Sequence, residues 1–171
     1  KKKKKLKNFK NGYAVCGNDE TAKREKNDCV VRAIANACDI NYEQAHAFVK
    51  EKFGRKDGQG TLMFNHVLKE LKTVQFEQVG QLDLFNPTNE RQIKHLGDCP
   101  KFGGTLKNPK YKHKPVAYTV KEFARRFNKG NFILQVNKHA LAVKDGVIVD
   151  NKNYQTDGYR RVVESAFQVT V

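Results

Sequence analysis

The chain has 171 residues, which suits one compact domain with a proper core. It carries 33 Lys and Arg against 18 Asp and Glu, a formal net charge of +15, so it is attracted to polyanions: nucleic acid, an acidic protein or an anionic surface. No apolar run approaches the roughly 18 residues needed to span a bilayer, and the lysine-rich start has no apolar segment behind it, so the pattern predicts no membrane span, no secretory signal and a cytoplasmic protein.

In chain order, KKKKKLKNFKNG (residues 1–12) reads as a flexible basic arm, because like charges this dense oppose a stable helix. The lysines from Lys1 to Lys10 are the expected electrostatic contact with nucleic acid. Residues 13–171 read as a single domain. The stretch 13–26 is polar and irregular. NDCVVRAIANAC (27–38) then predicts a short buried helix, with Val30, Val31, Ile34, Ala37 and Cys38 along one stripe. Asp28 or Asn27 is its expected N-cap, which leaves Cys29 in the first turn, at the positive end of the helix. A break at 39–41 with capping residues leads to a second helix over 42–53, with Tyr42, Ala45, Phe48, Val49 and Phe53 inward. GRKDGQGT (54–61) is a connector; it lacks the spacing and terminal Lys-Ser/Thr of a phosphate-binding loop. A third helix is predicted over 62–71, with Leu62, Met63, Val67 and Leu71 inward. His46 and His66 on these helices read as structural or surface residues.

TVQFEQV (73–79) alternates as a strand does. Residues 89–96 read as a short helix, and 99–114 as a long basic loop. His95, Cys99 and His113 share this region, but their spacing is not that of a metal site, and no metal or cofactor is expected. Residues 119–128 form a well-signalled helix: Thr119 and Glu122 make a capping box, Val120, Phe123, Ala124 and Phe127 the buried stripe, and Gly130 the C-terminal cap. NFILQVN (131–137) is a strand, followed by a hairpin that opens at His139 and turns at Asp145-Gly146. One or two further strands close the chain over 159–171.

Cys29 and this hairpin contain the parts of a nucleophilic centre. The four cysteines, at 16, 29, 38 and 99, form no C-x-x-C pair and are too sparse for a disulfide scaffold, so free thiols are expected. A thiol at a helix N-terminus has its thiolate stabilised by the dipole and by unpaired amides. A two-residue turn at Asp145-Gly146 pairs Lys144 with Val147 and Val143 with Ile148, and it puts Asp150 on the same face as His139, diagonally across the hairpin. Asn151 falls on the opposite face, so the register selects Asp150 as the group that orients His139. Cys29 would be the nucleophile, His139 its base, and Asp150 the acid that fixes the imidazole tautomer. The Cys29 amide would be one oxyanion donor. No glutamine precedes Gln44, so the second donor falls to an asparagine, Asn27 as the nearest or Asn18.

At these residues the chain resembles the papain-like cysteine peptidase superfamily, and within it the small members carried by bacteria and tailed phages. NDCVVRAIANA looks like the nucleophile helix and NFILQVNKHALAVKDGVIVDN like the catalytic strand pair. The resemblance implies an α+β fold with an N-terminal helical lobe, a C-terminal antiparallel sheet or half-barrel, and a cleft between them. It carries over the nucleophile to Cys29, the base to His139 and the orienting acid to Asp150. Papain's Cys-Gly-Ser-Cys-Trp signature is absent, and the chain has no tryptophan.

The expected function is therefore a small cysteine peptidase of the cytoplasm or of a virion. It would cleave peptide or isopeptide bonds of an acidic polypeptide through a Cys29 thioester. Two rivals differ in class. One is a basic, non-enzymatic nucleic-acid or virion-associated binding protein on an inherited peptidase fold. The other keeps the triad but performs deamidation or acyl transfer.

Overall fold

The structure, a computed structural model, describes residues 9–11, 27–61, 64–75, 90–98, 118–150 and 161–170. In chain order these form β1 (Phe9–Asn11), α1 (Cys29–Cys38), α2 (Tyr42–Phe53), α3 (Phe64–Glu70), β2 (Thr73–Gln75), β3 (Glu90–Asp98), α4 (Val120–Arg126), β4 (Asn131–Val136), β5 (His139–Lys144), β6 (Val147–Asp150) and β7 (Ser165–Thr170). The strands make one sheet in the order β1-β6-β5-β4-β7-β3-β2, antiparallel throughout except for β1 on β6. The class is α+β.

The central strands are apolar at nearly every position because both faces of the sheet are covered. β5 is buried from His139 to Val143. Alternate residues feed two separate clusters. Ile133, Ala140, Ala142, Val149 and Phe167 pack with α1, α2 and α3, among Val30, Ile34, Tyr42, Phe48 and Leu68. Phe132, Leu134, Leu141, Val143, Ile148 and Ala166 pack with α4 through Val120, Phe123 and Ala124. The alanines of β5 leave room for α1 to lie close on the sheet, and that helix is buried at every position from Val30 to Cys38. Burying its Val30, Val31 and Ile34 contributes roughly 1.5–3 kcal/mol each.

Both ends of α1 are held by long-range contacts. At the C-terminus Arg91 donates through Nε to the Cys38 carbonyl (2.8 Å) and Asn131 through Nδ2 to the Ala37 carbonyl (2.8 Å), which satisfies two of the acceptors that every helix end leaves open. Asp39 ends the helix in the left-handed conformation and takes Lys144 as its ion-pair partner. The α2 helix spans the range its sequence predicts and starts on an Asn41–Gln44 capping box.

Several expectations need correction. Residues 90–98, read as containing a short helix, form β3, which pairs with both β2 and β7. Arg91 and Ile93 point inward and Gln92 and Lys94 outward, so the period is two, but an arginine fills one of the inward positions and hides it. The last residues of the basic arm, Phe9–Asn11, add a parallel edge strand to β6. On α3 the buried side chains are Phe64 and Leu68, whereas Val67 and Leu71 are only half-buried. Thr119 caps α4 by accepting from the Glu122 amide (3.2 Å), but Glu122 does not reach back; it binds Arg125 and Arg126 instead. That helix ends at Phe127 rather than at Gly130, which turns the chain into β4 with φ +94°. Of the strand expected over 73–79, Thr73–Gln75 is described; the loop expected over 99–114, like Leu62, Met63 and Asn18, lies outside the described residues.

Candidate active site

The β5–β6 hairpin has the register that its turn predicts. Val143 pairs with Ile148 and Lys144 with Val147, and Asp145 and Gly146 both adopt positive φ (48° and 77°), as a two-residue type I′ turn requires. The turn is tied down at its outer end: Asp145 accepts from the Gly130 amide through Oδ1 (2.9 Å) and donates its own amide to the Gly130 carbonyl (2.9 Å).

At the other end of the hairpin stand His139, the first residue of β5, and Asp150, the last of β6. His139 donates through Nε2 to Asp150 Oδ1 at 2.7 Å. Both side chains are almost wholly buried. A carboxylate only accepts, so this bond fixes a proton on Nε2 and leaves Nδ1 as the nitrogen not engaged by Asp150. The Cys29 side chain lines the same pocket as the ring and acts on it electrostatically. Burial pushes the His139 pKa down, but the hydrogen bond to Asp150 and then the interaction with Cys29, with the charges behind them, outweigh it. The ring is raised from 6.5 to about 9.

Cys29 is the first residue of α1 and is half-buried, a free thiol reachable from solvent. Cys38, at the other end of the same helix, is enclosed in the core, and burial pushes its thiol up to about 12. A small pocket opens beside Cys29, lined by that residue with Arg32 and Asn36 of α1 and by His139 and Asp150.

All three residues of the sequence-derived triad therefore border one pocket. Asn27 does not. It adopts φ 52°, and its amide donates to the Gly58 carbonyl (3.2 Å), so it anchors the 54–61 connector to the start of α1. Asp28 occupies the N-cap position but makes no capping bond. Its carboxylate accepts from the Tyr42 hydroxyl (2.7 Å) and pairs with Arg32 Nε (2.9 Å). The sequence reading missed Arg32 and Asn36, which lie three and seven positions after Cys29 on the face turned to the pocket. That spacing was available as a signal, masked because the apolar stripe of α1 drew attention to its other positions.

Other candidates fall away. His95 is in β3, its ring packed on Phe167 (5.1 Å between centroids), while Cys99 and His113 lie outside the described residues. Among the described residues no cluster of His, Cys, Asp and Glu is arranged to hold a metal ion, and no helix is long and apolar enough to cross a membrane. No protein-family model matches the chain, and neither a curated protein nor a solved structure does.

Proposed function

We propose that the protein is a cysteine peptidase of papain-like type, with Cys29 as nucleophile, His139 as general base and acid, and Asp150 as the orienting acid. The observation that carries this reading is the buried His139–Asp150 bond of 2.7 Å with a helix-terminal thiol beside the same ring. A histidine raised to about 9 is charged at neutral pH, with the Asp150 carboxylate as its bonded counter-ion and the Cys29 thiol beside it.

The chemistry follows from Cys29 and His139 together. The thiolate attacks the substrate carbonyl, and the C=O electron pair moves to oxygen. The Cys29 amide donates to that oxyanion at the helix N-terminus. As the tetrahedral intermediate collapses, His139 gives its proton to the leaving amine and the C–N bond breaks, leaving a thioester on Cys29. A water then gives a proton to His139 and its hydroxide equivalent to the thioester carbon. The acid product leaves and the thiolate returns with a charged histidine beside it. Asp150 stays ionised throughout and holds the ring by Nε2. The excess of positive charge over the chain favours acidic polypeptides as substrates.

The test has two readouts. Iodoacetamide alkylation, resolved by site and run from about pH 4 to about pH 9, is expected to label Cys29 rapidly well below the range of an ordinary thiol near 8.5, and to lose this in His139→Ala. A peptide library incubated with the protein is expected to yield new termini, and none with Cys29→Ala. If Cys29 reacts like the other cysteines, the catalytic reading fails. If Cys29 is activated but no peptide is cut, deamidation or acyl transfer replaces peptidase action.

A further inference from the structure

Asp28, the residue directly before the nucleophile, carries a carboxylate whose engagement departs from its position. An N-cap aspartate ordinarily folds back to accept from amides of the first helical turn. Asp28 has φ −106° and ψ 26°, outside the extended conformation of a capping residue, and makes no such bond. Its Oδ2 is held instead by the Tyr42 hydroxyl at 2.7 Å and faces Arg32 Nε at 2.9 Å. These partners brace each other: the Arg32 guanidinium lies over the Tyr42 ring at 5.3 Å, and Tyr42 is fully buried and stacks on the His46 ring at 5.9 Å. Independently of that cluster, Arg32 lines the pocket that Cys29 and His139 share.

We propose that Tyr42 and Arg32 are positioning residues for Cys29, holding the Asp28 carboxylate away from the first-turn amides of α1 and neutralising it there. This rests on the assignment of Cys29 as the nucleophile. A capping Asp28 would engage the N2 or N3 amides of the first turn, whose positive field favours an anion at the helix terminus, and it would bring a full negative charge toward the thiolate. Pinned on Tyr42 and offset by Arg32, it does neither. The charged and titratable groups that line the pocket with Cys29 are Arg32 of α1, His139 of β5 and Asp150 of β6; Asp28, just before α1, and Tyr42 of α2 adjoin Arg32, and His46 of α2 stacks on Tyr42. Tyr42→Phe adds or deletes no charge at neutral pH, so it isolates the placement of Asp28.

The experiment is the alkylation profile of Cys29 against pH in Tyr42→Phe, Asp28→Asn and the double variant, with thermal unfolding of each. Tyr42→Phe is expected to move the profile to higher pH by about one unit, roughly a tenfold slower reaction at pH 6. Asp28→Asn removes the charge and keeps an acceptor for the tyrosine; it is expected to move the profile the other way. In the double variant the Tyr42→Phe shift is expected to vanish, since no carboxylate remains to swing back. A merely structural tyrosine would lower the unfolding temperature and leave the profile where it was, and that result overturns the proposal. So does a Tyr42→Phe shift that persists on the Asp28→Asn background. His139→Ala separates the two claims. A profile that answers to Tyr42→Phe but not to His139→Ala sinks the peptidase reading and leaves the role of Tyr42 standing, whereas the reverse sinks the role of Tyr42 alone.

Discussion

Burial alone makes a histidine easy to deprotonate, and at His139 burial is the largest single influence. The ring is nevertheless raised to about 9, because Asp150 binds Nε2 and Cys29 acts on the same imidazole. A group whose folded pKa lies above its unfolded value of 6.5 stabilises the fold fully below about 6.5, and that contribution is lost as pH climbs through about 9. The shift corresponds to about 3 kcal/mol. Asp150→Asn is therefore expected to bring the His139 titration, followed by the imidazole Cε1 proton in NMR, down by at least about one unit, and to flatten the decline of urea stability between pH 6.5 and 9. An unmoved midpoint would mean that the charge on the ring does not depend on Asp150. The choice of Asp150 over Asn151 was legible in the sequence because an Asp-Gly turn sets the register and the register sets the face. The partner of Asp28 was not legible. Local rules assign an aspartate before a helix to its own amides, and only the fold brings the Tyr42 hydroxyl within 2.7 Å.

Elements that carry their own boundary signals, α2 with Asn41 and Gln44 or the β5–β6 hairpin, could be read from the chain to the residue. β3 could not, because its inward pattern includes Arg91, whose charge meets the carbonyl end of a helix distant in sequence, through Cys38. The end of α4 was misread for a related reason: Gly130 has the positive φ of a helix cap but uses it in the turn that receives Asp145. The hairpin that holds His139 and Asp150 in register depends on its own turn. Gly146 sits at φ +77°, and a Cβ there would come within 3.3 Å of the Ala124 carbonyl and of Asn128 in the segment after α4. Gly146→Ala is expected to cost about 1–2 kcal/mol in urea unfolding, from the left-handed backbone before any steric adjustment. A neutral result would show that the turn relaxes away from α4 without loss.

For the whole molecule, strands were easier to recognise than their neighbours. Hairpins announce their own pairing, but the placing of β7 between β4 and β3, and of β1 beside β6, joins segments distant in sequence and has no local signature. Charge is a whole-chain property too. With a net charge of +15, the protein is expected to bind duplex DNA without sequence preference, with affinity falling by about a hundredfold or more between about 50 and 200 mM salt. Cys29→Ala is expected to leave that curve unchanged; a curve that changes with the thiol would mean that the site and the basic surface are one device. The order of parts along the chain has a further consequence. Cys29 belongs to the first helix among the described residues, while His139 and Asp150 belong to strands nearer the end of the sequence. During synthesis the nascent chain exposes Cys29 for most of the time without an imidazole to activate it, and the His139–Asp150 bond forms only after the closing hairpin has emerged. Topology thus sets the timing: under the proposed catalytic reading, a ribosome-bound or prematurely terminated chain is expected to carry an unactivated thiol, with reactivity arriving together with the finished sheet.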